Sequence, residues 1–228
     1  MKTFSVRVWD LPLRVFHWAL VVLVVFSFVS GMLGGGLIKW HGWSGLAILG
    51  LLVFRLVWGL IGSTYARFSV FLPTPGRMLS YLGGTWSGLG HNPLGALSVV
   101  ALLGILIWQA GTGLVSNDDI AFEGPLYALV SKSTSDWLSG LHRQMFWWII
   151  GLVVLHIGAI LFYALVKKDN LVKPMLTGVK EVSDPQAKPA VGGGVVAFVL
   201  AVAIAAVIVW IAAGGLLSPP PPPPVADW

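Results

Sequence analysis

Apolar residues run along this chain in long blocks, separated by short polar or glycine-rich stretches. The blocks approach 20 residues, enough to cross a hydrocarbon core of about 30 Å. The first predicted helix runs roughly from Arg14 to Met32, and GMLGGG then relaxes the chain. The second runs from about Lys39 to Ile61 and opens with KWHGWSG. A polar stretch, STYARFSVFLPTPGRMLSYLGG, follows, with room for a short interfacial helix. The third helix begins at Asn92-Pro93, where Asn caps and Pro suits the first helical position, and ends near Leu114. The acidic connection SNDDIAFEGPLYALVSKSTSDW is expected to lie over the bundle end. A fourth helix runs from about Trp137 to Val166 and stops at Lys167-Lys168. The segment KKDNLVKPMLTGVKEVSDPQAKPA reads as a polar linker. A fifth helix, rich in Ala and Val, spans about Gly194 to Ala213, and SPPPPPPVADW must be extended because proline cannot continue a helix.

Composition agrees with this pattern. Of the 228 residues, 57% are hydrophobic and 10% charged, against about 25% charged in a soluble domain. The expected class is an all-α membrane protein with no sizeable soluble domain. The net charge of +5 is a topology signal rather than a sign of nucleic-acid binding, because the basic residues cluster beside the apolar segments. With the N-terminus inside, one set of loops and ends holds Lys2, Arg7, Arg14, Arg67, Arg77, Lys167, Lys168, Lys173, Lys180 and Lys188. The other side holds Lys39, Lys132 and Arg143. Cytoplasmic loops carry the excess of Lys and Arg, so the N-terminus is expected in the cytoplasm and the C-terminus in the periplasm. The N-terminus is a poor secretory signal, since Asp10, Pro12 and Arg14 interrupt it.

The chain has no cysteine, which excludes disulfides, Cys-ligated iron–sulfur clusters and covalent haem attachment through C-x-x-C-H. It does have histidines at the ends of predicted spans. His142 and His156 share the fourth helix, 14 residues apart. That is about 21 Å of rise, and the two rings leave the helix within about 40° of each other. His17 lies near the inner end of the first helix and His41 near the outer end of the second. Depth therefore pairs His41 with His142 and His17 with His156. Each pair would give bis-imidazole ligation of one haem iron, a six-coordinate arrangement suited to electron transfer. A single such histidine is more often an interfacial residue; four at matched depths are harder to dismiss. A zinc site would gather its ligands at one depth, and a proton relay would use intramembrane Asp or Glu, which these helices lack.

Two further groups stand out. Arg55 is the deep cation of the second helix, 14 residues from His41. It would either fork a haem propionate or snorkel to the inner surface. His91 precedes Asn92-Pro93 and is either an ordinary residue at the helix start, a propionate or quinone contact, or a ligand in place of His17. Gly45, Gly50, Gly151 and Gly158 permit close approach of a macrocycle or of another helix. Trp18, Trp40, Trp43, Trp137, Trp147 and Trp148 read mostly as interfacial belts.

Taken in order, VWDLPLRVFHW, WHGWSG, FRLVWGLIGSTYARF, GHNPLGA and LHRQMFWWIIGLVVLHI resemble the bacterial cytochrome b561 family, a superfamily that includes the b-type cytochrome subunit of nickel–iron hydrogenases. The resemblance covers about residues 5 to 180. It implies a four-helix transmembrane di-haem bundle carrying two haem b, with His17, His41, His142 and His156 as axial ligands and Arg55 and His91 near haem or quinone. The expected organisation is a di-haem domain over 1–180, a linker over 181–193, an extra transmembrane helix over 194–216 and a proline-rich periplasmic tail over 217–228. The expected role is an electron-transfer subunit of a respiratory chain in the bacterial inner membrane. It would relay electrons between the quinone pool and a redox partner such as a hydrogenase, a dehydrogenase or a cytochrome c. The alternative is a stand-alone oxidoreductase passing electrons from superoxide or another small donor to quinone.

Overall fold

Asp10 turns the chain into its first membrane helix. Its Oδ1 accepts from the Leu13 amide at 2.7 Å and Pro12 occupies the first turn, so α1 (Leu11–Leu33) starts three residues before the expected Arg14. Asp10 and Pro12, which make the N-terminus a poor secretory signal, are thus also the start signal of the helix. Gly34, at φ +59°, ends α1, and a single 3₁₀ turn leads into α2 (Ile38–Ile61). So short a connection obliges the two helices to run antiparallel.

The polar stretch after α2 carries two short helices, α3 (Phe68–Phe71) and α4 (Pro75–Leu82), where one was expected. Thr74 caps α4, which exposes Leu79 and Leu82. Asn92 caps α5 (Pro93–Gly113) by accepting from the Gly95 amide at 2.7 Å, as its Asn-Pro signal predicts. The fourth long helix, α6 (Lys132–Leu165), begins five residues earlier than expected because Ser131 supplies a cap to the Thr134 amide. It is unbroken from His142 to His156, so their separation along the axis is about 21 Å.

The stretch after α6 is not a plain linker. It forms α7 (Val172–Thr177) and a strand, β2 (Val179–Val182), that pairs antiparallel with β1 (Phe4–Arg7) in the register Phe4–Val182 to Arg7–Val179. No hydrophobic period marks strands this short, and each is stable only because the other completes it. The Val8 and Trp9 amides donate to Gly178 O, and Arg14 donates to Leu176 O, clasping the chain start to the end of α7. The fifth long helix is α8 (Gly194–Ala212).

The structure is a computed structural model that describes residues 3–120 and 122–217. The proline run lies outside the described residues. Five helices, α1, α2, α5, α6 and α8, are long and apolar enough to cross a membrane. Their outward faces carry large apolar side chains such as Leu60, Trp148 and Leu155, as lipid contact demands. The chain is an all-helical multi-pass membrane protein apart from its two-stranded clasp.

The central helix is α2, which packs on α1, α5 and α8, while α5 packs on α6. No comparable packing joins α1 to α6. The core gathers Leu13 and Phe16 of α1, Leu52 and Trp58 of α2, Leu103 and Leu106 of α5, and Ile149 of α6. Between helices in lipid, association rests on close packing rather than water exclusion. Accordingly α8 buries a stripe of Ala201, Ala205 and Ala212, and its Val209 lies against Gly50 of α2.

Candidate functional site

The histidines fall at two ends of the bundle. At the end away from the N-terminus, His41 of α2 faces His142 of α6, with ring centres 6.0 Å apart and planes at 86°. His41 Nδ1 is 2.8 Å from Ser27 O of α1 and 3.2 Å from Ser27 Oγ. His142 Nδ1 is 3.0 Å from Gln109 O of α5 and 3.2 Å from Thr112 Oγ1. A carbonyl oxygen only accepts, so each Nδ1 carries the proton and donates it. Each Nε2 then presents a bare lone pair, the form in which imidazole binds a metal.

Glycine makes room for both rings. A β-carbon at Gly31 would lie 2.9 Å from His41 Nδ1, and one at Gly113 would lie 3.1 Å from His142 Cε1. The rings border a cavity of about 500 Å³ lined by Val24, Phe28, Leu46, Leu106 and Phe146 among others. Gly45, one turn beyond His41, also lines it, and a β-carbon there would meet only open space. The volume falls within the range of cofactor pockets, and the lining is mostly apolar, with polar groups that include Ser27, Gln109, Asp118 and Arg143.

Sequence reading missed the supporting residues. Ser27 and Gly31 on α1 are four apart, as are Gln109 and Gly113 on α5, so each pair occupies one helix face. A polar residue followed by glycine at that spacing, inside an apolar run, was the available signal.

At the other end, His17 of α1 and His156 of α6 are joined by two of the singled-out groups, Arg55 and His91. His156 Nδ1 lies 3.3 Å from Ser98 Oγ. His91 is wedged between Trp9 and Phe71, 4.6 Å from each ring centre, and its Nδ1 is sealed from solvent without a partner. Burial first, then the charges of Arg55, His17 and His156, push its pKa down to about 3. His91 is therefore neutral near pH 7, and those three groups share its surroundings. His17 and His156 do not make the direct ring contact seen for His41 and His142.

Arg55 does not snorkel. It is 2% exposed, stacked 4.8 Å over Phe68 and 5.7 Å over Phe71, and neither Nη1 nor Nη2 has a hydrogen-bond partner. A guanidinium buried with two idle nitrogens calls for an anion. The other glycines divide: Gly50 packs on α8, while Gly151 and Gly158 are exposed and border neither helix nor cavity. The six tryptophans read as belts are all more than one-third exposed.

Paired imidazoles with free Nε2 atoms beside a mostly apolar cavity, and at the other end a buried arginine with two unbonded nitrogens, fit a non-covalent haem. Among the described residues no three His, Cys, Asp or Glu side chains gather into a metal site, and His41 and His142 meet as a pair, as suits a porphyrin that supplies the remaining ligands. The prokaryotic cytochrome b561 family matches residues 8–178, three-quarters of the chain.

The chain belongs to the prokaryotic cytochrome b561 family.

A cytochrome b561 is a transmembrane b-type cytochrome of electron transfer, and it binds haem b. The match spans α1 to α7 and all five histidines, whereas α8 lies beyond it. No curated protein and no solved structure matches the chain.

Proposed function

We propose that this cytochrome b561 carries two haem b and relays electrons across the bacterial inner membrane, between the quinone pool and a separate redox partner. His41 and His142 hold one haem, and His17 and His156 hold the other. The observation that carries this reading is the facing of His41 and His142, each with its Nδ1 proton committed to a backbone carbonyl. The 14-residue spacing of His142 and His156 on one unbroken helix supports a second site about 21 Å away.

Bound haem b supplies one-electron redox chemistry at its iron. The chain's part is to hold and tune. Ser27 O and Gln109 O orient the imidazoles and raise their basicity. A haem held by His41 and His142 together would be suited to electron passage rather than substrate binding. Arg55 binds the inner haem's propionate, which gives its Nη1 and Nη2 the hydrogen-bond partners that the nearby charge of Asp10 does not supply. Neutral His91 stands beside this group as a hydrogen-bonding contact to propionate or quinone.

The Lys and Arg asymmetry supports a cytoplasmic N-terminus, placing His17, His156, Arg55 and His91 at the inner leaflet and His41 and His142 at the outer. A pyridine haemochrome assay on purified protein is expected to give two haem b per chain. Co-purification of a redox protein, with quinol-dependent reduction in membrane vesicles, tests the relay. One haem per chain, or none, overturns the reading.

A further inference from the structure

The fifth helix reaches the inner end of the bundle through a short, well-tied approach. Thr64 N donates to Val191 O at 2.9 Å, Tyr65 OH donates to Lys188 O at 2.6 Å, and Ser63 forms a bridge with Gly192. Gly193, at φ +84°, passes so close to Trp58 that a β-carbon there would lie 2.9 Å from the indole. One turn into α8, Phe198 packs edge-on against Trp58 and Phe54, at 6.3 and 5.9 Å between ring centres. Trp58 is thereby 2% exposed, with its second face stacked on Phe54.

The indole so held is not idle. Trp58 Nε1 donates to Asp10 Oδ2 at 3.0 Å, and Ser63 Oγ donates to the same oxygen. The other oxygen of Asp10 caps α1. A carboxylate receiving three donors is rigidly placed, and it fixes where α1 starts. His17 lies seven residues further, two turns along the same helix face. Arg55 stands three residues before Trp58 on α2.

We infer that α8 and its glycine approach are a positioning element for the inner histidine pair, acting through Trp58 and Asp10 on the start of α1. The inference rests on the di-haem reading for its redox consequence, but not for its mechanical one. Without Phe198 and Gly193 the outer face of Trp58 would meet lipid, its indole would leave Asp10, and the cap of α1 would lose a donor. The outer pair stands about 21 Å away and donates its hydrogen bonds to Ser27 O and Gln109 O, so it is not reached.

The test uses the full chain with Phe198→Ala, Gly193→Val and Trp58→Phe, the last keeping the ring and losing the N–H. Two quantities are measured: amide exchange over Leu11–His17, and the midpoint potentials of the two haems by optical titration. Exchange at the start of α1 is expected to rise about tenfold, the size of one lost hydrogen bond. One of the two potentials is expected to shift and the other to stay. Phe198→Leu, which refills the contact, is expected to restore both. Val207→Ala, on the exposed face of α8, is expected to change neither. Unchanged exchange in all three variants overturns the inference whatever the haem content. Faster exchange with both potentials unmoved, or with both shifted alike, overturns it as well. A wild-type content other than two haems contradicts the preceding reading instead, and is seen before any variant is compared.

Discussion

The imidazole of His41 stands across from that of His142 at 6.0 Å, nearly perpendicular to it, and each ring gives its Nδ1 proton to a neighbouring helix rather than to its own. Four helices therefore meet at one point: α2 and α6 supply the rings, α1 and α5 supply the carbonyls. An arrangement that depends on four helices is sensitive to small changes in any of them.

His41→Ala or His142→Ala should each lower the haem content from two per chain to one. The remaining haem should keep its own redox potential, because its ligands lie about 21 Å away along α6. Pyridine haemochrome quantification with redox titration checks this. A full complement of two in either variant contradicts the pairing.

The 86° between the rings has a spectroscopic consequence. Perpendicular imidazoles leave the iron d orbitals close in energy, so the oxidised outer haem should show a strongly anisotropic low-spin signal in electron paramagnetic resonance. Removing His142 should abolish that signal. A rhombic signal of the parallel-ring kind in the wild type would show that the rings rotate on binding.

Gly31 and Gly113 have no space for a side chain beside the histidines. Gly31→Val and Gly113→Val should force the rings aside at a cost of about 1–3 kcal/mol. Lower occupancy of the outer haem, with the inner one retained, is the expected result in the pigment ratio. Gly45→Leu should act differently, filling the cavity itself without touching a ring.

Arg55 yields a prediction of opposite sign for protein and cofactor. In the haem-free protein its guanidinium is buried with no hydrogen-bond partner at Nη1 or Nη2, so Arg55→Met should stabilise that form, by about 1–4 kcal/mol. In the loaded protein the same change removes the propionate's partner, so haem should dissociate faster and the inner potential should fall. Thermal unfolding of both forms, with haem transfer to an acceptor protein, measures the two effects. Destabilisation of both forms alike would contradict a propionate contact.

Asn92 serves two elements at once. Its Oδ1 caps α5 and its Nδ2 donates to Tyr163 OH of α6 at 2.7 Å. Asn92→Ala should cost about 1 kcal/mol for the cap and about another for the interhelical bond. Asn92→Ser, which keeps only the cap, should recover about half, as read by thermal melting in detergent.

Much of the fold was legible from residue order alone. Apolar blocks of membrane-spanning length identified all five long helices, because each satisfies its own backbone and must be apolar all round in lipid. Asn92-Pro93 marked the start of α5 for the same local reason. Depth along a helix is simple arithmetic, so the meeting of His41 with His142 could be expected from spacing and topology. Rotation and partner choice could not. That Arg55 turns inward rather than to the surface, that Gly50 faces α8 while Gly151 and Gly158 face outward, and that Ser27 and Gln109 orient the rings are decided by which helix faces meet. Uniformly apolar helices carry almost no amphipathic stripe, so nothing in their residue order says which side is buried. The β1–β2 clasp and the contact of α8 with Trp58 were equally invisible, since each joins segments more than 100 residues apart whose own propensities are silent about the other. Local backbone chemistry and hydropathy determined the elements and their depths; only packing, which compares distant surfaces, decided what those elements hold between them.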